Sequence, residues 1–184
     1  MMSRFRVVPA LALVALALPA VALAQEAQGF RAALLTDLDV LEQKYVALAE
    51  AVPADSYDWR PMEGVRSVSE VYGHVANAAY MFGGMLGHDV PADRGVEDAP
   101  QNLEELTDKA GVVAVLKRSF PYVRDMINAT PDSELEQEIT LFGQPATVRD
   151  VLLLVTTHMH EHLGQSIAYA RANRVVPPWS GGGM

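Results

Sequence analysis

Six large apolar side chains, Phe30, Leu34, Leu38, Leu41, Tyr45 and Leu48, recur at intervals of four and three. That rhythm keeps one stripe of a helix apolar for five turns, and such a stripe must be buried against other helices. The pattern predicts a first helix over about Gly29 to Ala51, stopped by Val52-Pro53. Three more stretches repeat it. Val71, His74 or Val75, Ala78, Phe82 and Met85 mark a second helix, opened by Ser67 with Glu70 three residues later as a capping box. Val112, Val115 or Leu116, Phe120, Val123 and Ile127 mark a third, from Leu103 or Thr107 to about Asn128. The fourth starts at Thr147, with Asp150 three residues on. Glu138 to Ala146 reads as an extended arm or short strand. Four amphipathic helices in one chain predict an all-α domain, a four-helix bundle.

Residues 1–24 read as an address. Arg4 and Arg6 precede an apolar run from Val7 to Leu18, and Ala22-Leu23-Ala24 supplies a small-x-small cleavage pattern. A signal peptide is expected over 1–24, the bundle domain over 25–178 and a flexible tail over 179–184. Cleavage before Gln25 predicts a periplasmic or secreted protein with no stable membrane insertion, because the apolar run is too short for an anchor.

The chain has no cysteine, so no protein thiolate is available as a nucleophile or metal ligand. Its net charge is −9, and losing Arg4 and Arg6 with the leader makes it more negative still. Such a chain repels phosphate backbones, which excludes nucleic acid as a partner. The expected partner is a small-molecule substrate.

On the fourth helix His158 and His162 stand four apart, which places their Cβ atoms about 5–6 Å from each other on one face. His74 lies on the inward stripe of the second helix. If the two helices meet, three imidazoles converge, and metal sites in bundles are built from facing helices in this way. The same pattern also suits three core histidines satisfied by hydrogen bonds. His160 points to the other side of its helix, and His160-Glu161-His162 is not the zinc-protease H-E-x-x-H, because Gly164 stands where the second His would be. Gln165 lies on the stripe of the pair and could hydrogen-bond a ligand or substrate; Glu161 could act as a base. These two are the candidate catalytic residues. Trp59 is expected to plug one end of the bundle.

Trp59-Arg60-Pro61, Ser69-Glu70 with Val71 leading to His74, and His158-x-x-x-His162-x-x-Gln165 together resemble the DinB/YfiT-like superfamily. Tyr169-Ala170-Arg171 and Val176-Pro177-Pro178 resemble the end of that family's last helix. The resemblance implies a four-helix bundle, often a homodimer, with a divalent metal on a His triad that maps to His74, His158 and His162. Characterised relatives include thiol-dependent transferases and isomerases. All-imidazole ligation suits zinc or nickel, and also iron or copper. Three protein ligands leave a coordination position open, as in catalytic zinc sites. The expectation is a metal-dependent hydrolase or transferase; the alternative is a non-catalytic metal-binding or structural dimeric bundle.

Overall fold

The structure is a computed structural model that describes residues 17–94 and 96–181, with side chains described from Gly29 onward. Four helices dominate it: α1 (Ala17–Ala51), α2 (Val68–Met85), α3 (Lys109–Ala129) and α4 (Val148–Ala172). Helix α1 reaches twelve residues upstream of the expected Gly29 start, and the expected cleavage position before Gln25 falls within it. The rest of the expected signal peptide, residues 1–16, lies outside the described residues. Among the described residues no helix is long and apolar enough to cross a membrane.

The helix starts follow the local chemistry of the sequence. At α2 the Ser67 hydroxyl accepts the Glu70 N–H, and the Glu70 carboxylate accepts the Ser67 N–H. Thr147 and Asp150 make the same reciprocal pair at α4. Each cap satisfies two backbone donors that the first turn would otherwise leave open, an effect of about 1 kcal/mol. The third helix begins later than its apolar pattern suggests. Asp108 caps it, whereas Leu103–Glu105 forms a separate 3-10 turn. Leu103 is fully buried beside Ala76 and Tyr80 of α2, which draws this turn onto α2 and out of line with α3.

The predicted stripes form the core. Leu34, Leu38, Leu41, Tyr45 and Leu48 of α1 meet Val75 and Phe82 of α2, Leu116 and Phe120 of α3, and Val151, Val155 and Met159 of α4. Fully burying each large apolar side chain contributes about 1.5–3 kcal/mol. Met85 departs from the predicted stripe, being 43% exposed. Tyr45 lies at the centre. Its ring packs on Tyr72 and Phe120, with centroids 6.2 and 5.8 Å away, and its hydroxyl donates to the Met159 carbonyl at 2.6 Å. One residue of α1 thus touches α2, α3 and α4.

Between α3 and α4 the chain makes a hairpin, β1 (Glu138–Leu141) and β2 (Gln144–Thr147), paired antiparallel with Leu141 opposite Gln144. The two turn residues, Phe142 and Gly143, both have positive φ, +49° and +81°. That is the conformation a two-residue hairpin turn requires to match strand twist. Trp59 packs edge-on against Tyr169, 5.3 Å between centroids, and is partly buried against the core. The expected tail beyond residue 178 begins with a 3-10 turn, Pro178–Ser180, whose Trp179 packs against the core.

Candidate metal centre

Helices α2 and α4 bring His74, His158 and His162 together at the edge of the core. One ring nitrogen from each lies within 4.8 Å of the others. The Nε2 atoms of His74 and His158 are 3.1 Å apart. Two nitrogens bound to one tetrahedral zinc at about 2.0–2.1 Å would sit roughly 3.3–3.4 Å apart, so the donors are already close to ligand spacing. All three residues are half-buried. Their position follows from helix periodicity. Val151 and Val155 continue the same face of α4 into the core, so the face emerges from full burial at His158 and His162.

Two of the rings are held by outer partners. His74 Nδ1–H donates to Glu104 Oε1 at 3.0 Å, and Glu104 in turn accepts two hydrogen bonds from Arg66, at 2.8 and 3.3 Å. His162 Nδ1–H donates to Gln165 Oε1 at 2.8 Å, and the Gln165 amide donates to the Tyr169 hydroxyl at 3.0 Å. Each bond places the proton on Nδ1, so Nε2 carries the lone pair that a metal would take; in His74 that atom faces His158 Nε2. Histidine ligands are commonly oriented by such a carboxylate or carbonyl behind the ring.

The electrostatics favour the neutral form of His74 and His158, the form that metal ligation needs. Burial, with the neighbouring His162 and His74 adding to it, lowers the His158 pKa to about 4. Burial also lowers that of His74, against the pull of the Glu104 hydrogen bond. For Glu104, burial pushes the carboxyl up, but the hydrogen bonds from Arg66 and His74 outweigh it and hold the group below its ordinary value. Donor set, spacing and protonation therefore fit a divalent cation.

Two clefts open on the triad. One, of about 870 Å³, is charged and includes Arg60, Arg66, Glu161, His162 and Gln165. The other, of about 420 Å³, is mostly apolar and has His74 and His158 in its wall. Glu161 is exposed at the charged cleft, and Gln165 joins that cleft to His162. His160 points away from the triad to Asp37 of α1, 2.8 Å from its carboxylate. Glu104 and Arg66 were not among the residues the sequence singled out. They lie in connecting segments, and nothing in the sequence distinguishes Glu104 among 23 acidic residues.

Asn77 and Gly73 set the position of Glu104. The Asn77 side chain accepts the Leu103 N–H at 3.1 Å and donates to Asn102 Oδ1 at 2.8 Å, fixing the 3-10 turn on α2. Gly73 lets that turn approach, because a Cβ there would lie 2.4 Å from the Leu103 carbonyl oxygen.

A helical bundle with an open three-histidine centre between two helices is the class that fold and site define. The chain belongs to the DinB superfamily, whose model matches residues 37–166 and so spans all three histidines. It is 27% identical over 131 residues to the uncharacterized protein YjoA of Bacillus subtilis (strain 168), across 67% of this chain and 78% of that protein. Its fold is similar to that of a DinB-like protein from Bacillus cereus, with a TM-score of 0.67 at 14% identity, covering 82% of this chain and 95% of that one. The crystal structure of YjoA, described as a DinB-like protein, gives a TM-score of 0.56 at 19% identity, covering 77% and 91%.

Proposed function

We propose that this protein is a metal-dependent hydrolase or transferase that acts on a small molecule at His74, His158 and His162. The observation that carries the reading is the combination of three clustered imidazoles, two of them already oriented from behind, with two clefts lined by the triad. A storage or structural site is usually closed by four protein ligands, whereas three leave room for a reactant. Zinc or nickel suits the donor set best, with iron or copper as further candidates.

A divalent metal bound there supplies Lewis acidity and a nucleophile, water or an external thiol, that is deprotonated at neutral pH. The protein's own residues do the rest. His74 and His162 present Nε2 because Glu104 and Gln165 hold their Nδ1 protons. Gln165 spans from His162 to Tyr169, which also sets its amide as a hydrogen-bonding group at the charged cleft. Glu161, exposed in that cleft beside His162, is the proposed group to take up and return a proton; the other two carboxylates there, Glu70 and Glu104, are already engaged by arginines.

The proposed site of action is outside the cytoplasm, supported by the basic start, apolar run and Ala22-x-Ala24 pattern of residues 1–24. Edman sequencing of protein recovered from the periplasmic or culture fraction should begin at Gln25.

Elemental analysis of protein purified from its own compartment tests the centre itself. One metal ion per chain, lost in His158→Ala, is the expected result. Hydrolysis or thiol transfer by the loaded protein, absent in that variant, would establish catalysis. A tightly metallated protein inert across ester, amide and thiol-acceptor panels would favour a binding role instead.

A further inference from the structure

The cleft beside the triad takes most of its apolar surface from Met81 and Phe82 of α2, Leu154 of α4 and Phe142 of the hairpin; His74 and His158 share its wall, and Arg66, Asn77 and Glu104 also line it. Phe142 is the unusual member. It occupies a turn position at φ +49°, where Asn, Asp or Gly is the ordinary choice and a bulky residue is strained. It is also 66% exposed. Local turn chemistry and burial thus both argue against phenylalanine here. Its ring nevertheless meets Phe82 at 6.4 Å and 68°, and Phe82 meets the His158 ring at 6.0 Å and 77°. Both are edge-to-face arrangements within the favourable 4.5–7 Å range. The result is a line of rings running from the rim of the cleft to a ligand histidine.

We propose that this cleft holds an aryl group of the substrate. The polar end of the substrate then lies in the charged cleft near Arg60, Glu161 and Gln165, and the reacting bond lies over the triad between them. The inference rests on reading the triad as a metal centre. The volume is ample: a dry apolar cavity of roughly 150 Å³ takes up benzene, and this cleft measures about 420 Å³. Met81, 43% exposed at the mouth, gives a flexible thioether edge that suits a ring. The substrate class is therefore a two-ended molecule, aryl on one side of the labile bond and polar on the other.

Acetohydroxamate and benzohydroxamate carry the same metal-binding head and differ only in methyl against phenyl. Apoprotein is first titrated with zinc by calorimetry, and the zinc-loaded protein is then titrated with each hydroxamate. The expected result is benzohydroxamate binding tighter by about tenfold or more. Phe142→Asn, which suits the left-handed turn, and Met81→Ser should each cut that ratio severalfold without changing affinity for zinc or acetohydroxamate. Val176→Ser, on an exposed apolar residue of the C-terminal segment, should leave the ratio alone. Zinc binding with no phenyl preference, or a preference that survives both cleft variants, overturns the aryl site and spares the metal centre. Failure of zinc to bind overturns the metal centre and the aryl site with it. A dimer that Phe142→Asn dissociates in sedimentation, with no phenyl preference, identifies the cleft as a self-contact and overturns the proposal.

Discussion

Glu104 accepts the Nδ1–H of His74 at 3.0 Å although 30 residues of chain separate them. Arg66, from a third segment, binds the same carboxylate through Nε and one terminal nitrogen. The orientation of one imidazole thus depends on three parts of the chain that no local rule connects. Removing the carboxylate should be felt at the metal. Glu104→Gln keeps the size and a hydrogen-bond acceptor but loses the charge; Glu104→Ala loses both. Metal affinity, measured by competition with a chromophoric chelator, should fall about 10–100-fold in the alanine variant and less in the glutamine variant. Equal affinity in all three proteins would remove Glu104 from any role at the centre.

Gly73 is required by packing, since its φ is an ordinary helical one. Gly73→Ala places a methyl against the Leu103 carbonyl and the Glu104 N–H, both backbone groups that cannot rotate aside. Alanine normally favours a helix by about 1 kcal/mol over glycine. Here overpacking should reverse the sign and cost about 1–3 kcal/mol. Urea unfolding measures the stability, and the chelator assay should show weaker metal binding because Glu104 moves with the turn. A stabilised variant would mean that the turn can shift freely.

Tyr45→Phe deletes one hydroxyl at the centre of the bundle. The Met159 carbonyl loses its hydroxyl donor, at a cost of about 0.5–1.5 kcal/mol in equilibrium unfolding. Met159 neighbours His158, so the variant also tests whether this bond holds the ligand-bearing turn of α4. Amide hydrogen exchange over residues 155–163 should quicken in the variant, beyond the general loss of stability.

The stability of the apoprotein should depend on pH in the acid range. In the folded protein His158 titrates near 4, against about 6.5 when unfolded. Between those values the unfolded chain binds more protons than the folded one, so protonation favours unfolding. The contribution is fully present above about pH 6.5 and is lost as pH falls toward 4, by about 1–3 kcal/mol. His158→Gln should flatten that part of the stability curve measured by denaturant titration. An unchanged slope would show that His158 titrates normally in the fold.

His160 separates the triad from the His-Glu-His string that contains it. It is exposed and pairs with Asp37, a surface contact worth about 0–1 kcal/mol. His160→Ala should keep full metal stoichiometry, whereas His162→Ala should not. Elemental analysis of the two variants side by side settles the assignment.

The bundle was legible because its determinants are short-ranged. The apolar stripes repeat every three or four residues, and both capping boxes close over three, so each can be read without knowing what it packs against. The pairing of His158 with His162 is of the same kind. His74 needed one further step, the meeting of α2 and α4, which its place on an inward stripe already suggested. Where a pattern spans a break, reading it locally fails. Leu103 resembles the start of the third helix, yet its burial against α2 pulls it into a separate turn. Phe142 resembles a strand residue and instead sits in the turn.

From sequence alone came the four helices, the caps of α2 and α4 and the facing pair His158 and His162, since each depends on neighbours a few residues away. Tertiary packing alone decided that Glu104 and Arg66 stand behind His74, and that an apolar and a charged cleft meet at the triad. Hydrogen bonds and steric contacts act over a few ångströms in space, whatever their distance along the chain. A glutamate in a connecting turn therefore acquires its role only when Gly73 and Asn77 bring that turn against α2.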